Sequence, residues 1–366
     1  MTAGPFVVEV LSTFRELEEA GPAWDRLPQA RTDPLLSHRW FAAAAHSLHE
    51  EGELHIVTVT RDAVLLAVAP LVRSRRAGVR RFEFLGSAAL FEPSGLIAAD
   101  PEARARLCSA LIDERTPLIL QRVPVESGIA DEFRILARGR GRVVLAASPP
   151  VLRIEIDGDQ NPRVAARELQ SATLRRKRAM LERLGPVHFD ALRPTPAELP
   201  ALLEEAIDVE ADGWKSAAGS ALRNKDGLRR FVSELAHRFA QSGELRVFFL
   251  RTGDRAVAMS IQLECNRSLW EIKVGYRQSA ARASPGRLLL SEVLRDACAR
   301  RLQGYEFLGS GDRQQRDWAN ASRPLQTVVY YPYAISGMLA FAFDIVAGLL
   351  RRLGRVCTRR DRRIDG

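Results

Sequence analysis

Ser268-Leu269-Trp270-Glu271-Ile272-Lys273-Val274-Gly275-Tyr276 runs into the basic loop Arg277-Gln278-Ser279-Ala280-Ala281-Arg282-Ala283, and then into Ser284-Pro285-Gly286-Arg287-Leu288-Leu289-Leu290. The stretch reads as a strand, a loop and a helix start. Strand side chains alternate, so Trp270, Ile272 and Val274 are expected on one face and Glu271, Lys273 and Gly275 on the other, where they would line a cleft. Ser284 suits an N-cap and Pro285 the first helical position. Leu290, Val293, Leu294, Ala297, Cys298 and Leu302 then recur at helical spacing, and Gly304 closes the helix.

The charges at this helix start oppose its macrodipole. Arg282 and Arg287 flank the positive end, and no acidic residue follows until Glu292. Uncovered N–H groups, small residues and two guanidiniums describe a seat for phosphate or pyrophosphate. An ordinary capped helix with solvated arginines is the competing reading, and this fragment alone does not separate the two.

Outward from here, Tyr305–Leu308 reads as a strand ending in Gly309-Ser310-Gly311-Asp312, followed by a short helical piece carrying Trp318. A strand, crossover helix and strand in this order place Glu271, Ser284–Arg287 and Asp312 near the same ends of adjacent strands. Upstream, Leu245–Arg251, Ala256–Cys265 and Leu269–Tyr276 form a three-strand meander. Leu54–Thr60, Ala63–Arg73 and Arg80–Leu85 form another of similar length, and two copies of one α/β unit account for both. The boundary between the halves is expected near Ala147–Pro150. A long basic helix containing Arg175-Arg176-Lys177-Arg178 opens the second half.

A chain of 366 residues is natural for two domains, and 46% hydrophobic with 27% charged residues is a globular composition. The net charge of +9 favours anionic partners such as CoA, nucleotides, tRNA or an anionic membrane face. Cys108, Cys265, Cys298 and Cys357 are scattered, which speaks against a disulfide framework or zinc ribbon and fits a reducing cytoplasm. The first ten residues read as a strand, not a secretory signal. His38, His46 and His49 lack further ligands at metal spacing, and no metal is expected. Ala334–Leu350 is apolar apart from Ser336 and Asp344, too short to span a bilayer, and is followed by seven arginines. It reads either as a packed helix with a solvated tail or as a peripheral attachment to the inner face of the cell membrane.

Glu210-Ala211-Asp212-Gly213-Trp214-Lys215-Ser216-Ala217-Ala218-Gly219-Ser220-Ala221, Lys273 with Tyr276, and Ser284-Pro285-Gly286 before an apolar helix resemble the CelD/BcsL family of bacterial GNAT-type acyltransferases, linked to cellulose and exopolysaccharide production. The likeness is strongest from Arg163 to Trp318 and extends distantly to the Fem aminoacyl transferases. It implies an α/β fold of tandem GNAT-like domains, each a mixed, mostly antiparallel twisted sheet flanked by helices: 1–149, then 150–333 as the acyltransferase, with 334–366 as apolar helix and basic tail. It implies acyl-CoA, acetyl-CoA first, as co-substrate, bound at Arg282, Ser284, Pro285, Gly286 and Arg287, although Pro285 and a lone Gly286 stand where the family loop has a glycine pair. Glu271 is the expected base, with Lys273 or Tyr276 stabilising charge or donating a proton, and a structural ion pair of Glu271 is the competing role. Trp214, Lys215, Asp312 and Trp318 are expected around the acceptor, a small-molecule or saccharide amine. The alternatives are aminoacyl transfer from tRNA, with Arg175–Arg178 on the phosphates, and a catalytically silent polysaccharide-assembly module.

Overall fold

The computed structural model describes residues 4–156, 171–212, 226–309, 311 and 313–347. Their strands are β1 (Val7–Leu11), β2 (Leu54–Arg61), β3 (Val64–Arg76), β4 (Val79–Phe84), β5 (Ile97–Ala98), β6 (Leu118–Pro124), β7 (Gly141–Glu155), β8 (Val187–Leu192), β9 (Leu245–Thr252), β10 (Arg255–Cys265), β11 (Ser268–Tyr276), β12 (Gly304–Glu306) and β13 (Ala321–Pro332). They join one sheet in the order β1-β2-β3-β4-β6-β13-β7-β12-β11-β10-β9-β8, with β5 on β3.

The expected duplication is visible in the pairing. In each half an edge strand, β1 or β8, leads an antiparallel meander. A helix then crosses over to a parallel neighbour: Pro101–Asp113 carries β4 to β6, and Pro285–Ala299 carries β11 to β12. Alternation along the strands sends one set of side chains to each side. Met259, Ile261 and Leu263 of β10 join a core that also holds Trp40, Phe41, Phe231 and Phe239. Helices of the two halves meet in that core, where the rings of Trp40 and Phe231 pack edge to face at 5.0 Å. On the opposite side each half keeps its own core beneath its crossover helix.

Two features depart from the expected boundary at Ala147–Pro150. β7 runs through it unbroken, because the ladder with β13 slips between Arg323 and Leu325, so that Pro149, Pro150 and Pro324 fall where no N–H is required. β13 then returns from the second half to lie between β6 and β7, and its Val328 and Tyr330 are buried in the first half's core.

The helix after β13 covers 335–347. Among the described residues no helix is long and apolar enough to cross a membrane. Asp344, the acidic interruption in that segment, faces inward: the fully buried Arg81 donates to it at 2.5 and 3.2 Å, and the Tyr331 hydroxyl donates at 2.7 Å. His38, His46 and His49 are separate, bonding the Leu17 carbonyl at 2.9 Å, Glu18 at 2.8 Å and Glu53 at 2.9 Å respectively. No cluster able to hold a metal ion occurs among the described residues.

Candidate active site

β11 and β12 part early. Their parallel ladder pairs Ser268, Leu269 and Trp270 with Gly304, Tyr305 and Glu306, and stops there. From Glu271 to Tyr276, β11 keeps its antiparallel neighbour β10 and diverges from β12, which marks this side as the candidate cleft. Glu271 stands at the point of divergence.

The expected grouping of Glu271 with Lys273 and Gly275 needs correction. Gln262 pairs with Glu271 and Ile261 with Lys273, so Ile272 is an extra residue, a β-bulge that resets the alternation. Glu271 lies on the face of Ser260 and Gln262. Lys273 and Gly275 lie on the face of Ile261 and Met259, against the helix Leu199–Ala211, where the Lys273 ammonium pairs with buried Glu210 at 3.0 Å. A Cβ at Gly275 would come within 2.9 Å of the Glu210 backbone, so a glycine is needed for that helix to approach. Lys273 therefore braces the sheet from its far side, away from Glu271.

On the cleft side Glu271 heads a buried polar chain. The Tyr305 hydroxyl donates to the Glu271 carboxylate at 2.5 Å and accepts from the Gln262 amide at 3.0 Å, and the same amide donates to the Ser260 hydroxyl at 2.8 Å. Gln262 is fully buried and its carbonyl oxygen has no hydrogen-bond donor, leaving an acceptor to spare beside the cleft. Burial and the adjacent Glu271 charge push the Tyr305 phenol well above its ordinary range, so it holds its proton at neutral pH.

A second carboxylate arrives from the first half. After β4 the chain bends through Phe91 and presents Glu92, which accepts from the Gly309 N–H at 2.9 Å just beyond β12. Buried Arg122 of β6 donates to the Gly309 carbonyl at 2.5 Å and lies over the Phe91 ring at 4.4 Å. Some of the Glu92 side chain reaches solvent, but its carboxylate is crowded by protein, and this crowding pushes its pKa up to about 7. The Glu271 charge raises it further, against the Gly309 hydrogen bond and Arg122. Phe91, Arg122 and Leu308 all adopt left-handed backbone conformations, at φ 55°, 56° and 55°. Such strain, held at one place by three segments, is a mark of functional sites.

Along the same face of β11, Val274 and Tyr276 lead from Glu271 to the helix Pro285–Ala299, a path of roughly 16 Å at strand rise. The Tyr276 ring borders Gly286. Pro285 takes the first helical position as expected, but Ser284 does not act as a side-chain cap: it is left-handed, at φ 51°, and its hydroxyl accepts nothing from the first turn. Arg282 is exposed and Arg287 half-buried. The basic helix Ala172–Glu182 flanks this loop, with Lys177 donating to the Arg282 carbonyl, Arg178 paired with Glu292 at 2.7 Å, and Arg175 and Arg176 exposed. Trp318 is buried in the core under the crossover helix. Trp214, Lys215 and Asp312 lie outside the described residues.

Residues 169–316 match the family described as acetyltransferase (GNAT) domain. The chain carries a GNAT-type N-acyltransferase domain. The GNAT segment spans the divergent strands, the polar chain and the cationic helix start, whereas Glu92 and Arg122 come from outside it. Solved structures share the fold over nearly the whole chain at low identity. FemX aligns with a TM-score of 0.55 at 9% identity, covering 91% of this chain and 98% of that one. L-PGS from Bacillus licheniformis aligns at 0.54 and 9%, covering 94% and 99%. A conserved protein of unknown function from Bacteroides thetaiotaomicron aligns at 0.54 and 10%, covering 88% and 99%. No curated protein is significantly similar in sequence.

Glu92, Arg122 and Tyr305 were not among the residues singled out from sequence. Tyr305 had a usable signal, since a strand parallel to Ser268–Tyr276 sets it beside Leu269 and within reach of Glu271. Glu92 and Arg122 had none, because their place depends on how the two halves meet.

Proposed function

We propose that the protein transfers an acyl group from acyl-CoA to an amine in the cleft opened at Glu271. The observation that carries this reading is the contrast between its two crossover helices. Pro101–Asp113 is capped by the Asp100 carboxylate, which accepts from Ala103, and has Glu102 in its first turn. Pro285–Ala299 has neither a side-chain cap nor an acid in its first turn, and is ringed by Arg282, Arg287 and Lys177. The first arrangement stabilises a helix by itself, and the second suits an anionic ligand. The pyrophosphate would rest at 282–287, and the acyl arm would follow the side of β11 that diverges from β12 to Glu271.

Attack by an amine on a thioester needs the ammonium deprotonated, the carbonyl polarised and the leaving thiolate protonated. Glu92, poised near neutrality, suits acceptance of the ammonium proton and its return to the leaving thiolate. Glu271 orients the Tyr305 hydroxyl and adds negative charge that attracts a cationic amine. The acceptor is an amino sugar or polysaccharide precursor on the CelD/BcsL resemblance.

Aminoacyl transfer from tRNA is favoured by a different observation, the exposed Arg175 and Arg176 on the helix that touches the same loop. Calorimetry with acetyl-CoA, longer acyl-CoAs and a charged tRNA separates the two. Acyl-CoA binding weakened by Arg287→Glu supports the first reading. Binding of tRNA alone, lost on reversing Arg175 and Arg176, replaces it with the second.

A further inference from the structure

We propose that the helix 335–347 docks the protein onto an anionic lipid surface through its outward face. The helix is amphipathic in the unusual sense. Its inward face holds the polar anchor: Asp344 on Arg81 and Tyr331, with Arg81 also donating to the Ala340 carbonyl at 3.3 Å. Ser336 donates to the Arg115 carbonyl at 3.4 Å, and Phe341 packs between the Tyr331 ring at 5.2 Å and the Arg142 guanidinium at 4.8 Å. Its outward face is apolar throughout. Ile335, Met338, Leu339, Phe343, Ile345 and Val346 are exposed, the first three at 74%, 61% and 56%. No charged residue interrupts them, because the one acid in the segment is tied underneath.

A folded protein does not leave such a face toward water unless something covers it. Charge selects the occupant. Arg115 and Arg142 flank the helix, the hairpin next to Arg81 exposes Arg75, Arg76 and Arg80, and the sequence after 350 adds seven arginines against two aspartates. Apolar side chains ringed by arginine match an anionic bilayer, where the apolar face enters the acyl boundary while the guanidiniums stay at the headgroups. A second copy of the chain is a poorer match, since it would bring two such basic ends together in a protein already at +9. The inference is independent of the acyl-transfer reading.

The test is co-sedimentation of the full chain with phosphatidylcholine vesicles alone and with about 30% phosphatidylglycerol, a fraction that gives a negative surface potential. Binding is expected only to the anionic vesicles and should fall as salt is added. Leu339→Glu with Phe343→Glu changes the outward face without touching the Asp344 anchor. It should leave the thermal midpoint in place and weaken binding at least about a hundredfold. The proposal is overturned if the wild type stays in the supernatant at low salt, or if the double variant binds as well as the wild type. Concentration-dependent dimers, abolished by the double variant and seen without vesicle binding, would overturn it in favour of a second copy.

Discussion

Replacing Glu92 by Gln should stabilise the protein at alkaline pH and leave it unchanged at acid pH. The carboxyl titrates at about 7 in the folded chain against an ordinary 4.5. Between those values the native state holds a proton that the unfolded state has released, so stability falls as pH rises. The interval, at about 1.36 kcal/mol per pH unit, amounts to roughly 3 kcal/mol lost by pH 8. Because part of the side chain reaches solvent, about 2 kcal/mol is the more realistic figure. Gln cannot ionise but keeps an oxygen for the Gly309 N–H, so it escapes the loss. Urea unfolding of both proteins at pH 4 and pH 8 reads it directly: coincident midpoints at pH 4, and the variant ahead by about 2 kcal/mol at pH 8. A variant equally or less stable at pH 8 would show that Arg122 welcomes the charge, and the case for Glu92 as a base poised near neutrality would collapse.

Glu271→Gln should lower turnover by about 10² through a slackened Tyr305 hydroxyl and a lost charge for the amine, with acyl-CoA affinity retained, measured by steady-state kinetics beside calorimetry; loss of fold together with activity would instead mark the Glu271–Tyr305 bond as structural. Asp344→Ala strands the buried Arg81 and should cost about 3–5 kcal/mol unless the helix lifts away, which faster amide exchange over 335–347 would reveal. Gly275→Ala drives a methyl into the Glu210 backbone and should cost about 1–3 kcal/mol by overpacking; an unchanged thermal midpoint would show that the helix Leu199–Ala211 yields. Arg287→Glu should raise the dissociation constant for acyl-CoA severalfold in calorimetry, with the thermal midpoint measured beside it, and equal affinities in the folded variant would remove the proposed pyrophosphate position.

Much of the fold was legible because it rests on local pattern. Alternation with short turns revealed both meanders, and Ser284-Pro285 ahead of periodic leucines revealed the crossover helix, which together fixed β12 beside β11. What escaped depends on distance or on a single inserted residue. Two prolines read as a break at 149–150, yet a facing proline at 324 let β7 continue past them. One extra residue at Ile272 turned Lys273 to the far side of the sheet, and no periodicity rule signals a bulge in advance. Glu92 acquires its meaning from Gly309, 217 residues later.

The return of β13 to the middle of the sheet has a consequence for how the chain matures. Until synthesis passes residue 332, β6 and β7 have no strand between them, and the first half's core lacks Val328 and Tyr330. Bare strand edges template wrong pairings, so the nascent first half is exposed to aggregation for about half of translation, and expressed alone it should go largely to the insoluble fraction. The molecule closes late, like a garment whose last stitch runs back through the first seam.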